Sequence, residues 1–133
     1  MKNILFIITA LLFNACSSTP EGTVENMHDA LKDGDFLKFS RNTNDPITRI
    51  FSVEALATCS VDKKSYKDGD FSLLDDCFIE KYSDLNIKNI KIINLSQDKA
   101  RAIVTTTQNS EEETHKYILI KRDDNWKVIY SEK

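Results

Sequence analysis

The side chains able to do chemistry are few. Three cysteines (Cys16, Cys59, Cys77) and two histidines (His28, His115) are the only thiols and imidazoles in the chain. Their spacing builds neither a zinc site nor a thiol-base pair: Cys-x-x-Cys is absent and the histidines offer no ligand spacing. A Gly-rich phosphate loop and a nucleophile elbow are absent as well. Glu111 to Glu113 could bind a cation, but the run reads as the charged tip of a hairpin, with His115 at a solvated position beside it. Lys-Asp-Gly-Asp-Phe occurs twice, at Lys32 to Phe36 and Lys67 to Phe71. Its flanks do not match and its length does not make a calcium loop, so it reads as a helix stop or turn followed by an Asp cap. His28, on the apolar side of a helix, and Trp126, on a strand, are the two candidates to line a pocket; a packed core histidine is the favoured reading of His28. No catalytic residue, metal site or cofactor emerges, and the expectation is a non-enzyme.

Cys16 differs from the other cysteines in what precedes it. After the positive start Met1-Lys2-Asn3, Ile4 to Phe13 is apolar except for Thr9. The run is far shorter than the ~20 residues needed to cross a bilayer, and it ends at a polar stretch, so it targets rather than spans. Leu12-Phe13-Asn14-Ala15-Cys16 resembles the lipobox of bacterial lipoproteins, with Phe13 and Asn14 standing where aliphatic and small residues are commonest. That resemblance implies a signal peptide over 1–15, acyl chains on Cys16, and a tether over 16–19 leading into one domain over 20–133. At ~0.8 kcal/mol per buried methylene, two or three chains give lasting anchoring. Ser17, in place of Asp, implies the outer membrane, facing the periplasm. Three extended residues reach only ~10 Å, so the domain is expected close to the lipid surface.

Export would place Cys59 and Cys77 in an oxidising compartment, where the expected outcome is a disulfide. The loop closed would be worth ~3 kcal/mol in the chain-entropy view. Of the 133 residues, about 115 remain for folding, enough for one core and not two. With 41% apolar and 29% charged residues, the mature part should bury a core. A net charge of -3, more negative once Lys2 is removed, gives no field to attract phosphate backbones, so nucleic acid is not an expected partner.

The elements follow from caps and periodicity. Thr19-Pro20-Glu21 starts a helix of about 14 residues, whose stripe Val24, Met27, His28 and Leu31 ends at Gly34. Asp35 caps a short second helix with Phe36, Leu37 and Phe39. Asp45-Pro46 repeats the cap-plus-proline signal, with Ile47, Ile50, Phe51, Ala55 and Leu56 as the apolar face of a third helix ending near Cys59. After a loop over Val61 to Asp70, Leu73, Leu74, Cys77, Phe78 and Tyr82 suggest a fourth. From Ile87 on, β-branched and aromatic runs predict four strands: Ile87 to Leu95, Ala100 to Thr107, His115 to Lys121 and Trp126 to Tyr130. Ala100, Ala102 and Val104 should share a packed face, and Trp126, Val128 and Tyr130 another. Helices followed by a meander make an α+β domain.

Two stretches resemble the nuclear transport factor 2-like (NTF2-like) superfamily and, within it, small bacterial lipoproteins of unknown function. Pro20-Glu21, Val24, Met27 and Ala30 to Asp35 look like its opening helix; Tyr117 to Lys121 and Trp126-Lys127-Val128 look like its last hairpin. The resemblance implies a cone in which a curved antiparallel four-stranded meander wraps around amino-terminal helices. It implies no activity, since that fold hosts isomerases, dehydratases and members that only bind or assemble. The leading expectation is therefore an envelope lipoprotein with a non-catalytic binding domain and an envelope protein as partner. The alternatives are a pocket enzyme or apolar-ligand carrier, and a periplasmic inhibitor or immunity protein.

Overall fold

A computed structural model describes residues 18–67 and 69–132. The expected signal peptide over 1–15 and Cys16 lie outside them. Four helices precede four strands: α1 Pro20–Asp33, α2 Phe36–Arg41, α3 Asp45–Thr58, α4 Ser72–Tyr82, β1 Asn86–Asn94, β2 Lys99–Gln108, β3 Glu111–Arg122 and β4 Asn125–Glu132. A single 3-10 turn, Lys63–Ser65, interrupts the loop between α3 and α4.

Local chemistry sets the helix ends. The Thr19 side chain accepts from the Gly22 N–H, and Pro20 opens α1. Gly34 closes α1 in the left-handed region (φ 70°), while the Asp35 N–H donates back to the Ala30 carbonyl at 2.8 Å. A side chain at Gly34 would overlap the Ile79 side chain and the Asp75 carbonyl, so the close approach of α1 to α4 also requires glycine. Asp35 then caps α2 through the Lys38 N–H (3.0 Å), and Asp75 of α4 accepts from the Phe36 N–H (2.8 Å). The cap of α3 is Asn44, whose side chain accepts from the Ile47 N–H at 3.2 Å, and not Asp45, which is the first helical residue.

The strands form one antiparallel sheet in the order β1-β2-β3-β4. Two hairpins turn on two residues each, Asn109-Ser110 (φ 52° and 63°) and Asp123-Asp124 (φ 51° and 62°), the positive-φ pairs that two-residue hairpins favour. Because the first turn is this tight, β3 starts at Glu111, and Glu111 to Glu113 are strand residues paired with Thr106 to Gln108 rather than a tip. A bulge between Ile118 and Leu119 pairs Ile118 with Tyr130 and Leu119 with Val128. The extra residue, Ile129, reverses the facing of the residues after it. Trp126 and Val128 are therefore buried, while Tyr130 points outward and is 57% exposed.

The helices cover one face of the sheet. Ala100, Ala102 and Val104 supply the floor of that face, all fully buried, and the small alanines let α1 lie close over β2. Met27 and Leu31 of α1, Phe39 of α2, Phe78 of α4, and Tyr117 and Leu119 of β3 fill the space above it. The aromatic rings meet edge-on or tilted: Phe39 lies 5.5 Å from Phe78 and 5.2 Å from Phe51. Ile47 and Ala55 of α3 are buried, but Ile50 is 51% exposed, outside the contact of this helix with its neighbours. Cys59 at the end of α3 is joined to Cys77 of α4 by a disulfide, with the Cα atoms 5.3 Å apart.

The free edge of β4 is covered by the α2–α3 linker. Asn44 N–H donates to the Val128 carbonyl and Val128 N–H to the Asn42 carbonyl, both at 2.9 Å, making a short parallel bridge at Thr43. Asn44 Nδ2 adds a bond to the Ile129 carbonyl (3.0 Å). An otherwise open strand edge is thereby satisfied, and the end of α2 is held beside the start of β4.

Candidate functional site

The interior between helices and sheet is filled by packed side chains. His28, 4% exposed, donates from Nδ1 to the Val24 carbonyl one turn back (2.9 Å) and meets the Tyr117 ring edge-on at 6.0 Å. Burial, which penalises the imidazolium, pushes its pKa down to about 4, so the ring is neutral across the physiological range. Burial likewise pushes the Tyr117 hydroxyl up, so it stays protonated. Among the described residues no buried side-chain nitrogen or oxygen lacks a hydrogen-bond partner, and no three His, Cys, Asp or Glu side chains group to hold a metal ion. His28 borders none of the principal recesses of these residues.

Trp126 has a different setting. It lies at the start of β4, where a recess of about 550 Å³ opens to the surface between α1, α2 and β4. Its charged lining is Lys38, Arg41 and Lys127, with no carboxylate; Ser18 and Asn26 border it on the α1 side. The structure therefore does not bring His28 and Trp126 together in one pocket. A neighbouring recess of about 600 Å³ shares Asn125 and Lys127 and is bounded by Asp45, Arg122 and Asp123. The hydrogen bonds at β4 explain this placement: the linker bridge at Thr43 brings α2 to β4, and Thr23 Oγ1 of α1 lies 3.5 Å from the Trp126 carbonyl.

The chain enters the domain at the same place. The Trp126 N–H donates to Ser18 Oγ at 2.9 Å, and that hydroxyl lies 3.5 Å from the Asp124 carbonyl. Ser18 is thus fixed to the β3–β4 turn and forms part of the wall of the cationic recess. Sequence reading did not find this group. Lys38 and Arg41, three apart on one short helix, were its only local trace, while Lys127 is distant in the chain and joins them only through the Thr43 bridge.

The opposite end of the sheet carries the other sign. There Glu111 and Glu113 border a smaller recess of about 270 Å³ with Lys81, and Lys88 pairs with Glu112 at 2.9 Å. His115 lies 3.5 Å from Glu113 and stacks on Tyr117. Among the described residues no helix is long and apolar enough to cross a membrane.

No family model matches the chain. No curated protein matches it either. Among solved structures, a protein from Campylobacter jejuni described as a candidate NTF2-like transpeptidase is similar over 85% of this chain and 99% of its own, with 18% identity and a TM-score of 0.49. By its own strand order and helix packing, the domain has the α+β architecture that the NTF2-like resemblance implies: four helices set against one face of a four-stranded antiparallel meander.

Proposed function

We propose that the protein is a bacterial envelope lipoprotein, held by acyl chains on Cys16 at the outer membrane and facing the periplasm, whose domain works by binding rather than by catalysis. The observation that carries this reading is the attachment of Ser18 to the β3–β4 turn, through the Trp126 N–H. It fixes the point at which the chain leaves the domain only two residues after Cys16. Two extended residues reach ~7 Å, so a lipid on Cys16 would hold that face of the domain at the membrane. Support for binding over catalysis comes from the interior. Side chains fill the cone, and its one buried imidazole is hydrogen-bonded and neutral.

The anchor is tested by Cys16→Ser in the full chain, followed by fractionation and by the electrophoretic shift that marks processing. Loss of both processing and membrane retention is the expected result. Unchanged processing with unchanged fractionation would remove the lipoprotein reading.

A further inference from the structure

We infer that the recess lined by Lys38, Arg41 and Lys127 is the domain's seat on an anionic phospholipid surface. The inference rests on the lipid-anchor reading and adds to it a specific contact.

Three observations lead there. The first is charge: the chain is acidic overall, at -3, yet the only charged residues lining this recess are three cations. Among the described residues none of the three lies within ion-pair distance of a carboxylate. The nearest carboxylates have cations beside them: Lys121 is 3.9 Å from Asp124, and Asp45 and Asp123 border the neighbouring recess together with Arg122 and Lys127. The second is position: Ser18, which borders the recess, is the residue through which the tether enters. The third is range. Cys16 lies at most ~7 Å of extended chain beyond Ser18, so the recess that Ser18 borders would face the headgroups closely enough for the attraction of its cations to be only partly screened at physiological salt. The acidic end lies about 25–30 Å away at ~3.3 Å per residue along β3 and is screened from the same surface. Asp123 and Asp124 of the β3–β4 turn share the tether end, so it is the recess itself, and not that whole end, that presents cations with no carboxylate in its lining. A phosphate-bearing headgroup fits the polar, open recess, with the lysine and arginine donors around it.

The test uses the mature lipidated protein in vesicles of phosphatidylcholine alone or of phosphatidylcholine with phosphatidylglycerol. An amine-reactive reagent is followed by peptide mass spectrometry at Lys38 and Lys127, with Lys88 at the far end as reference. Labelling of Lys38 and Lys127 should slow by about fivefold in the anionic vesicles, with Lys88 unchanged, and high salt should restore it. Arg41→Gln should weaken the protection of Lys127, and Arg41→Lys, which keeps the charge, should return it. Equal labelling in both vesicles, with the protein still sedimenting with them, would overturn the headgroup contact while leaving the anchor intact. Protection of the same size by inorganic phosphate in detergent would overturn the membrane surface in favour of a soluble anion. A protein that neither sediments nor carries acyl mass would overturn the contact and the anchor together.

Discussion

The interior of the cone and the end where the tether enters are built from opposite materials. Inside, Phe39, Phe78, Met27, Leu31, Tyr117 and Leu119 are buried, and the one imidazole among them is satisfied by a backbone carbonyl. Where the chain enters the domain, Ser18, Lys38, Arg41 and Lys127 border an open recess against a single buried aromatic, Trp126. The contrast places the folding core and the proposed membrane contact in separate residues. Changes inside should alter folding and leave membrane contact alone, and changes at the tether end should do the reverse.

The largest effect should come from Phe78→Ala. Phe78 is fully buried and touches Phe36, Phe39 and Tyr82, so its truncation should cost about 3–5 kcal/mol by denaturant titration. A loss below about 1 kcal/mol would mean that the interior is looser than its packing implies. Next is the Cys59–Cys77 bridge, which ties α3 to α4. The double variant Cys59→Ala/Cys77→Ala should lose about 3 kcal/mol, and reductant should destabilise the parent protein but not the variant.

His28 gives the interior a pH signature. Its folded pKa is pushed down to about 4 from 6.5, so in that window the unfolded chain binds a proton that the folded chain refuses. Stability from this group is fully present above pH 6.5 and is lost as the pH falls toward 4. Between pH 7 and 4 the protein should lose about 3 kcal/mol more than His28→Gln does. Parallel pH curves for the two proteins would show that His28 is not held neutral by burial.

The smallest stability effect should come from the tether end. Lys38→Glu/Arg41→Glu/Lys127→Glu should change unfolding free energy by less than about 0.5 kcal/mol per substitution, as surface substitutions do. The same variant should lose headgroup protection, which separates the two regions most sharply. A loss of several kcal/mol would show that the recess is part of the folding core after all.

What the sequence made legible was local. Thr19-Pro20, Gly34 and Asp35 carry their cap chemistry within a few residues, and the structure has α1 and α2 with those ends. The disulfide was legible as well. It needed only two cysteines and an oxidising compartment. Two features were not legible because they depend on backbone pairing across strands. Glu111 to Thr114 are polar and read as loop, yet a strand held by main-chain bonds to β2 needs no apolar side chains there. Tyr130 keeps the alternation of Trp126 and Val128 on paper, but the bulge opposite Ile118 reverses it. The cationic recess was hidden for a third reason: Lys38 and Lys127 belong to distant parts of the chain, brought together by a linker that adds itself to the edge of β4. No spacing rule reports such a meeting.

The central claim is that a lipid on Cys16 holds the tether end of this domain at a membrane. The most direct measurement is the mass of the amino-terminal peptide of the protein recovered from the membrane fraction. The account predicts a peptide that begins at Cys16 and carries the added mass of a diacylglyceryl group, with or without a further acyl chain. A membrane-derived chain that begins elsewhere, or an unmodified Cys16, would contradict it.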